Sequence, residues 1–463
     1  MKALAASVIL LLLSWQFAMA QQSRGTTVSP NLFGSVSQGA PTGDMLTLSI
    51  SDAIDRALKY NLSAIISEQE TRVSRAARLR ALSELLPKAT ASVTETVQQI
   101  NLAAFGFGGF PGTPQVVGPF SVFDARARYS QTLVDFRLLH ELRSAAERIN
   151  ASSYGQQDSR ELVVLITTDL YLEATAAATR VDAVRAQLRT AQAVYDRANI
   201  LRQSGVVPGI DVLRAQVQLQ SQQQRVLAAE NELAKQKLTL ARAIGLPQAQ
   251  AFMQTDSFIT APAAVPGFEQ ALATALESRA DYQRSLALIR AAEESRKAAI
   301  GRRLPSVQIS ADYGDIGRNP GFSHGTMGLQ GALIIPLYTG ERARAEIIES
   351  ESLLEERKAE SANLRDRIEY EVRTANLDIE SAAAQVRVAE GARALAQQQL
   401  VQAQDRFAAG VTNGLEVTQA QEAVSGADEN YISSLYALNL AEASLARAMG
   451  TAERTIKSFF GGK

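Results

Sequence analysis

The sequence predicts a mainly α-helical fold with a smaller β portion, built from one unit used twice. Three observations carry this. Leu240-Ala241-Arg242-Ala243-Ile244-Gly245 returns 205 residues later as Leu445-Ala446-Arg447-Ala448-Met449-Gly450, and the same offset pairs Gly205 with Gly410 and Gly209 with Gly414. Each copy holds a long proline-free stretch, about 137–204 and 340–408, with apolar residues at alternating steps of four and three. Just before each stretch the apolar period shortens to two, the mark of strands.

In chain order, residues 1–20 read as a signal peptide: Lys2, the apolar run Val8 to Leu13, then Ala18-Met19-Ala20 as a small-x-small cleavage site. The mature chain then begins near Gln21, and residues 21–48 form an N-terminal extension without clear periodicity. The first unit covers 49–245: an opening helix, a β-hairpin at about 88–135, the long helix, a tip turn at 205–210 and a returning helix. A linker at 246–266 leads to the second unit, 267–450, with its hairpin at about 305–338 and its tip turn at 410–415. Residues 451–463 remain as a tail.

The first long segment carries the seam Leu170, Ala174, Ala177, Val181, Val184, Leu188, Ala191, Tyr195 and Ala198. The offset of 205 maps it onto Ala375, Ile379, Ala382, Val386, Ala389, Arg393, Ala396, Leu400 and Ala403, where Arg393 is the one exception. At 1.5 Å per residue such a helix extends about 100 Å. The returning helix at 210–244 and the next unit's opening helix at 268–303 are therefore predicted to stack end to end alongside it. Gly205 and Gly410 are predicted to end the long helices at positive φ, with Gly209 and Gly414 allowing the reversal.

Phe123, Ala125, Ala127, Tyr129 and Leu133 alternate with polar residues that include Arg126 and Arg128, and Val307, Ile309, Ala311 and Tyr313 do the same in the second unit. Strands of about ten residues are long enough to cross a bilayer when tilted. Four strands cannot close a barrel, and lipid tolerates no open edge, so three chains with twelve strands are required. Phe120, Phe123, Tyr129, Phe136, Tyr313 and Tyr338 cluster at strands or their ends, as an interfacial aromatic girdle does; packing in a soluble sheet explains them otherwise.

Composition narrows the function. The 463 residues carry 47 Lys+Arg against 48 Asp+Glu, which leaves no basic face for nucleic acid. Without cysteine there is no disulfide, thiolate metal site, thiol nucleophile or lipidated cysteine anchor. His140 and His324 lack any metal-ligand pattern, and no cofactor motif or nucleophile elbow is present.

Residues 48–61, starting Leu48-Ser49-Ile50-Ser51-Asp52-Ala53-Ile54, and 268–281, starting Phe268-Glu269-Gln270-Ala271-Leu272, resemble the repeat openings of the TolC-like outer-membrane efflux proteins. The turns Gly205-Val206-Val207-Pro208-Gly209 and Gly410-Val411-Thr412-Asn413-Gly414 resemble that family's periplasmic tips, and the likeness covers nearly the whole mature chain. It implies a homotrimeric exit duct: a 12-stranded β-barrel in the outer membrane joined to an α-helical periplasmic tunnel, served by a periplasmic adaptor and an inner-membrane pump or type I secretion transporter, with no chemistry of its own. The alternative is a soluble periplasmic coiled-coil scaffold or adaptor whose hairpins pack as small β-domains. The resemblance places an acid, Glu416, at the tunnel mouth, with Asp211 its repeat counterpart; a first-turn acid on a helix dipole explains both equally. Where the family can carry a second acid, this chain has Gln419 and Arg214, and an Arg214 contact with Glu416 or Asp211 is a candidate for holding the mouth closed. The turn residues between the glycines are the adaptor-contact candidates.

Overall fold

A computed structural model describes residues 30–106, 112, 114–261, 266–412 and 414–460 of the chain. The first unit runs β1 (Leu46–Leu48), α1 (Ile50–Tyr60), α2 (Leu62–Ser83), β2 (Lys88–Asn101), β3 (Val116–Val134), α3 (Phe136–Gln203) and α4 (Gly209–Ile244). After β4 (Phe252–Gln254) the second runs α5 (Phe268–Ser278), α6 (Ala280–Gly301), β5 (Ser306–Gly317), β6 (Ser323–Ile334), α7 (Arg342–Ala408) and α8 (Gly414–Ala448), and α9 (Ala452–Phe460) follows.

The opening segments, each expected as one helix, are each two. Ser49 and Asp52 form a capping box at the start of α1, whose apolar residues Ile50, Ala53, Ile54 and Ala57 make one buried face. The backbone turns extended at Asn61, φ −65° and ψ 137°, and the equivalent break in the second unit is Arg279, φ −66° and ψ 120°. Neither site holds proline or glycine, so periodicity gave no sign of the break.

Those breaks are where the short helices join, and the joint corrects the expected stacking. Asn61 Nδ2 donates to Leu32 O at 2.8 Å and to Ala243 O at 3.2 Å, while its Oδ1 accepts the Ser63 N–H at 2.9 Å. One residue thus caps the start of α2 and holds the end of α4. Arg279 repeats this by another chemistry, with Nη1 donating to Ala448 O at 3.3 Å. Each returning helix therefore stacks beneath the opening segment of its own unit, not the next one: α4 under α2, α8 under α6. Helix lengths fit either pairing. Close approach decides it, because a Cβ on Gly245 would lie 2.6 Å from Tyr60 Cβ and one on Gly450 would lie 2.8 Å from Arg279 Cα.

The columns stand in the order α2/α4, α3, α6/α8, α7: α3 packs on both composite columns and α7 on the second. Leu170, Ala174, Ala177, Val181, Ala191 and Ala198 of the predicted α3 seam are buried, as are all of the α7 seam residues except Arg393 and Leu400. The segments without periodicity wrap the joint. β1 pairs in parallel with β4, Thr47 opposite Met253, and Tyr171 of α3 donates its hydroxyl to Leu48 O at 2.9 Å. The tail contains α9, too short for a period to register; it buries Ala452 and Ile456 against this core.

The hairpins join into one antiparallel sheet ordered β2-β3-β5-β6. Ala127 lies between Ala91 and Tyr313, and Tyr313 opposite Met327; one rung on, Arg128 lies between Thr90 and Asp312, and Asp312 opposite Gly328. Apolar and polar rungs alternate down four strands, so one face is greasy and the other polar. The far edges of β2 and β6 are unpaired among the described residues.

The glycine geometry separates two roles. Gly450→Ala is expected to destabilise by about 3 kcal/mol, combining positive φ with overpacking at the joint. Gly205→Ala meets no atom within 4 Å and pays only for φ +73°, about 1 kcal/mol. Chemical unfolding of both variants in detergent checks the ranking.

Candidate functional site

The tips are closed by backbone. At the end of α3 the Val206 N–H donates to Leu201 O at 2.9 Å and the Gly205 N–H to Arg202 O at 3.0 Å. At the end of α7 Val411 bonds Arg406 O at 3.0 Å and Gly410 bonds Phe407 O at 3.1 Å. Both are Schellman motifs with glycine left-handed, φ +73° and +70°. Gly209 and Gly414 each begin a helix, and at Gly209 the extended backbone of Pro208 makes the turn.

The two tips pack on each other. Val207, Val212 and Ala215 from the first meet Phe407, Val417 and Ala420 from the second in one cluster. Val206, Ile210, Leu213, Val411 and Leu415 point outward and are about half exposed or more. Pro208 and Gln419 are exposed, Thr412 is half-buried, and Asn413 lies outside the described residues.

The tip acids are not equivalent. Asp211 is 5% exposed and bonds Arg214 Nη1 at 3.2 Å within its own helix, whereas Glu416 is 36% exposed and pairs with Arg406 Nη1 at 2.9 Å and with the Thr412 hydroxyl. Arg214 therefore meets Asp211 and not Glu416. Arg406, which sequence reasoning missed, is the cation that Glu416 uses, reached from the last turn of the preceding helix.

At the opposite end, Phe123, Tyr129 and Tyr313 share the apolar sheet face. Six residues, about 20 Å, separate Phe123 from Tyr129, close to the height of a lipid-facing band. Phe136 and Tyr338 stand just past the strands at the helical end, 41% and 86% exposed. Phe120 alternates onto the polar face with Asp124 and Arg126, apart from the others. Phe322, in the turn between β5 and β6, is 73% exposed and extends the aromatic set at the far end; the corresponding turn of the first hairpin includes residues 107–111, which lie outside the described residues. On the polar face Arg126 pairs with Asp124 at 3.2 Å and with Asp312, and Arg128 donates to Ser92 Oγ at 2.9 Å.

Around the joint runs a buried ionic network. Arg279, almost fully buried, holds Asp281 at 2.7 Å and Glu371 at 2.5 Å, and Arg447 holds Asp158. Burial pushes Asp281 up, but the Arg279 guanidinium outweighs it and holds the carboxyl below its usual range. Burial raises Asp158 despite Arg447, and raises Glu161, whose carboxylate accepts the Ala452 and Glu453 N–H groups at the start of α9.

A stack of helical columns ending in a sheet with one greasy face and one polar face is a segment of a helical duct joined to a membrane barrel. The sequence profile of the outer membrane efflux protein family matches residues 118–246 and 271–451. No curated protein matches the chain. The outer-membrane channel OprN superposes with a TM-score of 0.74 at 16% identity over 87% of this chain and 90% of that one. CmeC of Campylobacter jejuni gives 0.75 at 16% over 91% and 92%, and the open-state MtrE channel of Neisseria gonorrhoeae gives 0.70 at 15% over 87% and 89%. These likenesses carry the fold. The chain belongs to the outer membrane efflux protein family and is an outer-membrane exit duct of the efflux type; a soluble scaffold is not favoured.

The raised pKa of Glu161 has a sign. The folded chain binds that proton more tightly than the unfolded one, so stability gains as pH falls through the raised value and the gain is absent at higher pH. Glu161→Gln should raise the melting temperature by about 1–2 °C at pH 8, with the gain shrinking as the pH is lowered; a thermal melt series across pH measures it.

Proposed function

We propose that three copies of this chain form one duct, a twelve-stranded barrel in outer-membrane lipid continued by a helical tunnel through the periplasm. It passively conducts what an inner-membrane transporter, of the efflux or type I secretion kind, delivers through a periplasmic adaptor. The observation that carries this is the pair of unsatisfied sides on the single chain. The outer edges of β2 and β6 lack partners among the described residues, and an open edge is untenable in hydrocarbon. On the helices, Val73, Leu79, Val217 and Leu227 of the first composite column and Tyr370, Leu377, Val388 and Leu395 of α7 are all more than 60% exposed. These are the two outer flanks of the four-column slab, so the first flank of one copy suits the last flank of the next, and head-to-tail contacts of that kind close into a ring.

The outward aliphatics at the tips supply what a docking adaptor needs, a hydrophobic patch at an exposed end. Phe123, Tyr129, Tyr313, Phe136 and Tyr338 serve as the girdle at the lipid boundary, while Phe120 faces the lumen with Arg126 and Arg128. Export runs through the signal peptide at 1–20, which lies outside the described residues. The chain itself is not an enzyme.

At the mouth, Asp211 and Glu416 act as acidic rings flanked by Arg214 and Gln419, with Glu416 the more available of the two. Bilayer recordings of Asp211→Ala with Glu416→Ala should lose cation preference and divalent block; unchanged selectivity would refute the gate. Assembly is tested first by extraction in mild detergent. A trimer from the outer-membrane fraction is expected, and a soluble periplasmic monomer would overturn the duct.

A further inference from the structure

We propose that the interruption of the apolar seam in the second long helix is a binding site for a small organic amine. Arg393 stands where the first unit has Leu188. A guanidinium cannot pack as a seam residue, and it turns instead to Asp428, with Nε 2.8 Å from Oδ1, and lies 5.1 Å from the Tyr431 ring centroid. The seam opens beside it into a cavity of about 360 Å³ between α3, α7 and α8, within the range of small-molecule sites. Its centre is about 20 Å from the tips along the helices, away from the turns described above.

The lining has one character. Leu400, Val424 and Leu435 form apolar walls. Gln421 is only 5% exposed and its Nε2 has no hydrogen-bond partner; Gln187, facing it from α3, has a buried Oε1 that also lacks one. Buried polar atoms in a folded protein are nearly always paired, so an orphaned acceptor and an orphaned donor lining one cavity point to a bound ligand with its water. Arg393 already neutralises Asp428. Asp182, on the rim, carries no hydrogen bond or ion pair among the described residues, which leaves the cavity one negative charge.

An ammonium group answers the acceptors of this set, while Gln421 Nε2, itself a donor that an ammonium cannot pair, is left to a water beside it. The ammonium donates to the Asp182 carboxylate and to Gln187 Oε1, and an apolar body fills the space against Leu400, Val424 and Leu435. An anion is repelled by Asp182, with Arg393, the lining's one cation, already spent on Asp428, and a metal ion is poorly served, because no group of three His, Cys, Asp or Glu suited to a metal exists among the described residues. The lining comes from a single chain.

The test uses the full mature chain in mild detergent, titrated with benzylamine and, as the uncharged counterpart, benzyl alcohol, by isothermal calorimetry. Saturable binding of one benzylamine per chain is expected, with benzyl alcohol about tenfold weaker or worse. Asp182→Asn, at an exposed and unpaired carboxylate, should weaken benzylamine by about tenfold while leaving benzyl alcohol unmoved. Leu435→Trp should fill the cavity and remove binding. Equal affinity for amine and alcohol, full affinity in Asp182→Asn, or no saturation in the parent chain would each overturn the proposal.

Discussion

Everything tall in this molecule depends on joining two short helices end to end without a covalent link. A helix terminus exposes unsatisfied backbone groups, and here an N-terminus and a C-terminus must meet in a buried place. Asn61 solves it with one amide that caps α2 and holds Ala243 O. Arg279 solves it with a guanidinium that reaches Ala448 O and must then be neutralised by Asp281 and Glu371. The second solution brings charge into the core, and the ionic network there follows from it, since an unpaired buried guanidinium is prohibitively costly. The collar strands and α9 pack into one core with the first joint.

Much of this was legible in the sequence. The duplication, the heptad seams, the hairpin positions and the tip glycines are all local or periodic signals, and the structure places α3 and α7 within two residues of the expected bounds. What periodicity could not carry was pairing between termini far apart in the chain. Tyr60 with Gly245, and Arg279 with Gly450, are contacts of close approach, and nothing in a hydrophobic pattern distinguishes one 35-residue partner from another. The offset between repeats held a faint sign, since Asn61 and Arg279 occupy the same place in the two copies, yet their chemistry differs so much that neither marks the other. The site was legible in part for the same reason: Glu416 and Asp211 fall on equivalent first turns, but whether an acid is buried or exposed, and which arginine it meets, depends on how the two tips lean together.

The two copies have diverged in the seam and at the tip. The first keeps Leu188 in its seam and the second has Arg393; the first hides its tip acid within one helix, and the second ties its acid to the helix before the turn. A ring of such chains would have six tips of two alternating kinds, so its mouth would be threefold in charge although nearly sixfold in backbone. Duplication thus supplied the height of the columns, and divergence between the copies supplied the asymmetry that a mouth can use.

The Schellman closure of the tips relies on main-chain N–H and carbonyl groups alone, with a left-handed glycine whose surroundings at Gly205 are empty to 4 Å. Side chains on that turn are therefore free of any duty to fold it. Mutation can rewrite Val206 or Val411 without disturbing the hairpin, much as the cut of a key can change while its shank stays the same. In the proposed duct, a lineage of such proteins could exchange one docking partner for another by drift at a few exposed positions, leaving the architecture above them untouched.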